Sequence, residues 1–170
     1  MKNFRNVLIV SIAWIVLRYV ISFTIPVESL TDYTRFMVMF GPIAPLLAAT
    51  YGHIKSKGKE FGFPDVFKAS AKAGFMYSLL YLIGILVLFQ FVNPSDFSSR
   101  KALIVAQQIE ANTAAELSTP EETRAKINEI FTPFNYATIS FMVSVLLTLF
   151  YSAFIAFMAA MFKKRGQFIS

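Results

Sequence analysis

Long apolar runs separated by polar stretches define the chain, at residues 7–25, 36–54, 73–92 and 137–162. Each has at least the ~17 residues that a helix needs to cross the hydrocarbon core of a bilayer. In the last run, Ile139 to Phe162 gives 24 almost wholly apolar residues. Small residues recur along it at every fourth position: Ser140, Ser144, Thr148, Ser152, Ala156 and Ala160. Residues four apart share a helix face, and in lipid a face of small residues lets a second backbone come close. The pattern predicts a helix-packing face on this span, with Phe141, Leu146, Leu147, Phe150, Phe154 and Phe157 facing lipid or filling gaps. The other spans are expected to stack against it as a wall.

The first run follows a short basic start and has the outline of a secretory signal. Arg18 interrupts it and no small-x-small cleavage pattern follows, so a retained span is expected. Pro26 ends the run, and residues 27–35 read as a short polar turn carrying Glu28 and Asp32. The second run contains Gly41-Pro42-Ile43-Ala44-Pro45. Its prolines remove two helix donors and release the carbonyls of Val38 and Gly41, which predicts a kinked or broken helix. Gly41, Pro45 and Ala49 make a small face expected to meet the fourth span, while Ser70, Gly74 and Ser78 give the third span its own.

Residues 93–134 form the one sizeable segment outside the spans. Asn93-Pro94-Ser95-Asp96 reads as a stop followed by a helix cap. Ala102, Val105, Ala106 and Ile109 then recur at three- and four-residue steps, a modestly amphipathic helix whose pattern lapses at Asn112 and Thr113, so a short helix is expected. Thr119-Pro120-Glu121-Glu122 starts a second, with Thr119 as cap and Glu122 reaching back to the Thr119 amide. Pro133 ends it. The expected fold is an all-α integral membrane protein: a single membrane domain over 1–170, with four transmembrane helices and an extracytoplasmic helix pair between spans 3 and 4.

Composition agrees. Hydrophobic residues make up 56% and charged ones 15%, against about 45–50% and about 25% in soluble domains. Cysteine is absent, which excludes disulfides and thiolate chemistry. The net charge of +6 would suit nucleic acid, but its distribution points to lipid headgroups. The start, the loop over 55–72 and the tail (Lys163, Lys164, Arg165) hold 10 of the 16 basic residues. Basic residues in short loops resist translocation, so both termini are expected in the cytoplasm. The acids are biased the other way, 2 against 8.

The order Phe63-Pro64-Asp65-Val66-Phe67-Lys68, an apolar span, then Phe91-Val92-Asn93-Pro94-Ser95-Asp96-Phe97 is similar to that of a family of small bacterial inner-membrane proteins. The resemblance extends over most of the chain, including the outer helical segment and the basic tail. It implies about four spans in a bacterial inner membrane. That family is a domain of unknown function, so the resemblance lends no catalytic residues.

Among residues with chemistry, Arg18 stands out, because a charge inside a span is expensive and points to a function. It lies seven residues before Ile25, roughly 10 Å below the outer surface at 1.5 Å per residue. Pro42 falls at a similar depth, so Arg18 is expected to hydrogen-bond the carbonyls freed by Pro42 and Pro45. The functional reading is then a ligand site built from Arg18, Gly41, Pro42, Pro45, Tyr81, Ser144 and Thr148, with Gly84 at a similar level. The plainer reading, favoured over that site, has Arg18 reaching outward to headgroups or pairing with Glu28 or Asp32. The proline break has a functional reading too, since transporters expose half-helix ends to substrates, but a simple bend is favoured. His53, the only histidine, fits an interfacial position beside Tyr51. No metal or cofactor is expected: the predicted spans carry no acidic or histidine cluster, and 55–62 lacks the spacing of a phosphate loop.

Three function classes follow. The favoured one is a structural or accessory membrane protein, meeting a partner or second copy through the span 4 small-residue face and the outer helix pair. The alternative is a small transporter or lipid- or ligand-binding protein with a pocket at Arg18 and the broken second span. The third is an enzyme acting on lipid through His53, Glu60 or Asp65. Membrane lipid is the expected partner in all three, and nucleic acid in none.

Overall fold

The computed structural model describes residues 2–25, 27–115 and 117–164, with the side chains of 2–4, 27–32, 34, 59 and 164 left aside. The proposed tail contribution of Lys164 and Arg165, the Pro26 stop, and the pairing of Arg18 with Glu28 or Asp32 lie outside what is described. The described residues are helical almost throughout, and four stretches are long and apolar enough to cross a membrane: Arg5–Thr24, Arg35–Lys57, Phe63–Val92 and Pro133–Lys163. The chain is a multi-pass membrane protein.

Helix α1 is Lys2–Thr24, and α2 (Val27–Phe40) and α3 (Ile43–Lys57) together supply the second span. The expected break falls at Gly41-Pro42, between these two helices. The stretch over 27–35, expected as a turn, is instead the first part of α2. Tyr33 and Met37, four apart, share a face of that helix, so helical spacing accounts for a stretch that looks merely polar when counted.

Helix α4 runs Phe63–Val87 and ends in a π-helical turn over Leu88–Val92. It therefore begins ten residues before the apolar run does, taking in half of the basic loop. Asp65 explains the start: its carboxylate accepts from the Gly62 amide at 3.1 Å, with Pro64 in the first turn. Helices α5 (Pro94–Ala114) and α6 (Pro120–Ile130) form the outer pair, and α7 is Pro133–Lys164. Thr119 and Glu122 make the expected reciprocal cap, at 3.3 and 3.1 Å. The first outer helix is longer than expected. Asn112, where the apolar pattern lapses, lies within the helix and uses its amide to hold Ser118 and Thr123, each at 3.1 Å.

Helix α4, not α7, is the hub, since α1, α3 and α7 all pack against it. The small-residue face of α7 lies along it. Ser144, Thr148, Ser152 and Ala156 are buried, Ser140 and Ala160 are half-buried, and Leu146, Phe150, Phe154 and Phe157 are exposed. Ser144 shares a 2.8 Å hydrogen bond with Ser78 of α4. Below it, a Cβ on Gly74 would stand 2.0 Å from the Thr148 methyl, so the glycine is what lets the backbones meet. The small face of α3 turns elsewhere than expected: Ala49 packs with Val7 of α1 and Ala73 of α4. Gly41 faces Trp14 and Tyr77.

Gly74→Ala is expected to destabilise the bundle by about 1–3 kcal/mol, the usual range for overpacking. Adding Thr148→Ala, which removes the clashing methyl, is expected to recover much of that loss. Thermal unfolding in mild detergent reads both, and an unchanged midpoint in Gly74→Ala would contradict the close approach.

Candidate functional site

The buried face of α1 carries Val7, Ser11, Arg18 and Ser22 at steps of four, seven and four. Helical periodicity thus turns Arg18 inward, toward α4. Its side chain is 1% exposed. An isolated charge at that depth would cost several kcal/mol. Its counter-charge comes from beyond the spans. Asp96, in the first turn of α5, is equally buried and brings Oδ2 to 3.8 Å from Arg18 Nη2. Arg100, one turn further along α5, donates from Nε to Asp96 Oδ1 at 2.6 Å.

The junction between α4 and α5 makes this possible. The Asn93 amide closes the π turn on the Leu88 carbonyl at 2.7 Å. The Asn93 side chain caps α5, with Oδ1 accepting from the Asp96 amide at 3.3 Å and from Ser95 Oγ at 2.6 Å. Its Nδ2 donates to the Ser22 carbonyl of α1 at 3.3 Å. One side chain therefore ties α5 to α1 and aims Asp96 at Arg18. A carboxylate in the first turn of a helix also suits the helix dipole.

Aromatic rings surround the cluster. Phe97 packs on Phe89 and Phe131, each with ring centres 5.2 Å apart, and Tyr136 stands edge-on to Phe89 at 5.4 Å. Tyr81 is fully buried and lies within electrostatic reach of Arg18, Arg100 and Tyr136. Tyr77 stacks on Tyr81 at 5.8 Å. A Cβ on Gly41 would fall 2.1 Å from the Tyr77 hydroxyl, so the helix break receives that ring edge directly.

Two guanidiniums and one carboxylate leave the cluster with a formal charge of +1. Its donors exceed its acceptors. Among the described residues, Arg18 Nε, Nη1 and Nη2, Arg100 Nη2 and, on the acceptor side, Asp96 Oδ2 make no hydrogen bond, and the Tyr81 hydroxyl faces Arg18. Buried donors left in this state are costly, and an oxygen-rich anionic group is the chemistry that satisfies them.

The residues expected to form one site divide into two groups. Arg18 and Tyr81 come together, joined by Asp96, Arg100 and Tyr77. Gly41 reaches the edge of that group through Tyr77. Pro42 and Pro45 are buried in the turn and first coil of α3, while Ser144 and Thr148 sit in the α4–α7 contact. Arg18 does not take up the proline-freed backbone: its charge faces Asp96, and Trp14 Nε1 donates to the Met37 carbonyl at 3.4 Å beside the break. The expected outward reach of Arg18 to headgroups also fails, since the side chain is enclosed. Local pattern does not mark Asp96 and Arg100 as site residues, because the first looks like a helix cap and the second like a loop charge. The available signal was their spacing of four, which makes them neighbours on one helix face.

His53 is half-buried, and among the described residues no three His, Asp or Glu side chains gather as a metal site. A helical membrane protein organised round a buried arginine–aspartate–arginine cluster is the class that these features define. The family model for proteins of unknown function designated DUF4199 matches residues 7–165, and the chain belongs to that family. No curated protein and no solved structure matches it.

Removing the shared acid is the sharpest test of the cluster. Asp96→Asn leaves two buried guanidiniums facing each other and is expected to destabilise the protein by about 3–5 kcal/mol. The triple variant Arg18→Met, Asp96→Leu, Arg100→Met is expected to regain most of that, because apolar replacements of buried ionic groups are well tolerated. Equilibrium unfolding in detergent compares the two.

Proposed function

We propose that the protein is a binding protein of the bacterial inner membrane, both termini cytoplasmic, that takes the oxyanion group of a ligand between Arg18 and Arg100. The observation that carries this reading is the surplus of buried donors round a cluster of net positive charge. Tyr81 is assigned to the same group as a donor, and the α5–α6 hairpin, which supplies Asp96 and Arg100, acts as its cover. Asp96 and Arg100 share α5, so the cover carries both: opening it parts Asp96 from Arg18, and closing it on the ligand brings Arg100 to the oxyanion. The orientation rests on charge: Lys55, Lys57, Lys68, Lys72 and Lys163 gather at the end opposite the hairpin, and such residues favour the cytoplasmic side.

The accessory reading keeps one observation of its own. The hairpin and its junction with α7 leave Leu117, Ile130 and Phe134 exposed, an apolar edge suited to a protein partner, a second copy or the membrane surface. The small-residue face of α7 no longer contributes to it, because Ser144, Thr148 and Ser152 are covered by the chain's own helices.

Thermal unfolding in nanodiscs of neutral lipid tests the binding reading, using inorganic phosphate and short-chain phosphatidic acid as probes. A probe at one hundred times its dissociation constant is expected to stabilise wild type by about 2.7 kcal/mol. The Arg18→Met, Arg100→Met variant is expected to show no such gain. A gain with phosphatidic acid alone identifies a lipid headgroup, and a gain with both identifies the free oxyanion. Stabilisation that survives the double substitution, or none in wild type, overturns the proposal.

A further inference from the structure

At the end of the bundle away from the arginine cluster, a groove of about 750 Å³ opens between α3 and α7. That volume lies in the range of small-molecule sites, roughly 300–1,000 Å³. Its α3 wall is Leu47, Thr50, Tyr51 and Ile54, and its α7 wall is built on Phe154 and Met158. The walls belong to two spans, so the groove faces the bilayer along its length. An apolar slot at that depth matches an acyl chain.

Three observations select the headgroup. Lys55 stands at the mouth, its ammonium 6.0 Å from the centre of the Tyr51 ring. Lys57 and Lys163 are exposed at the same end, where the Lys163 ammonium donates to the Phe61 carbonyl and closes the loop over 58–62 onto α7. Open space lies beside the mouth, since a Cβ on Gly58 would meet nothing within 4 Å. Deeper in the groove, Thr50 is 6% exposed and its Oγ1 makes no hydrogen bond among the described residues. Thr50 lies five residues before Lys55, about 7 Å along the helix at 1.5 Å per residue. A cation at the mouth and a lone hydroxyl one and a half turns below reproduce the order of groups in a phospholipid: phosphate, ester, chain.

We infer that this groove is a site for one anionic phospholipid, with its phosphate on Lys55, an ester oxygen at Thr50 and an acyl chain along Phe154 and Met158. The site is separate from the arginine cluster and does not depend on the binding role proposed for it. A basic residue near the surface favours an anionic over a neutral headgroup by about fivefold, so selectivity rather than occupancy is the diagnostic property.

The experiment is native mass spectrometry of protein released from nanodiscs containing equal amounts of phosphatidylglycerol and phosphatidylethanolamine. Wild type is expected to retain one phosphatidylglycerol, enriched about fivefold over the neutral lipid. Lys55→Glu is expected to abolish the enrichment, and Lys55→Gln to reduce it. Leu47→Trp, at an exposed position on the groove wall, is expected to lower retention of both lipids by filling the slot. Equal retention of the two lipids by wild type, or undiminished enrichment in Lys55→Glu, overturns the inference.

Discussion

A charge that cannot stay alone in a low-dielectric interior shapes the outer half of this protein. Arg18 faces inward because its position on α1 is fixed by Val7, Ser11 and Ser22, which share its face. Once there, it needs a negative partner, and the one acid within the described spans, Asp65, caps the start of α4 at the far end of the bundle. The chain supplies one by folding the segment after α4 back over the bundle. The π turn over 88–92, the Asn93 cap and the bond from Asn93 to the Ser22 carbonyl all serve that return. The outer hairpin is therefore part of the membrane domain, coupled to α1 by charge and to α4 by the Phe89, Phe97 and Phe131 rings.

The inner half is held by a different force. Between apolar helices in lipid no hydrophobic gain is available, so close packing and short polar contacts hold α4 to α7. Gly74 against Thr148 and Ser78 against Ser144 are that contact in this chain. These two solutions meet at the stacked Tyr77 and Tyr81, which connect the arginine cluster to the helix break at Gly41. A ligand that altered the Arg18–Asp96 contact would act on the hairpin and, through the tyrosines, on the second span.

The two proposed binding regions differ in the kind of selectivity they would offer. The arginine cluster is closed, donor-rich and flanked by aromatic rings, so under the binding reading a ligand would enter by displacing the hairpin. The groove between α3 and α7 is open along its side, and its preference comes from a single ammonium at the mouth. Lipid reaching the second requires no conformational change, whereas the first trades one ionic contact for another. A phospholipid bound at Lys55 would also brace the end of α3 against α7.

Span number, the break at Gly41-Pro42, the Thr119 cap and the inward-facing small residues of α7 were legible in the sequence. Each is set by local rules: apolar length against bilayer thickness, missing proline donors, a reciprocal four-residue cap, and a spacing of four on a helix. The start of α2 and the length of α5 do not follow from local composition, because Tyr33 and Asn112 sit among polar neighbours and take their roles from helix periodicity and side-chain bonding. The pairing of Arg18 with Asp96, the role of α4 as hub, and the groove at Lys55 belonged to the tertiary structure alone. They join residues separated by up to roughly a hundred positions, and no local pattern encodes which distant acid will neutralise a buried charge or which two lipid-facing helices will part to admit a chain. That choice is made only when the helices pack and each buried charge must find its partner.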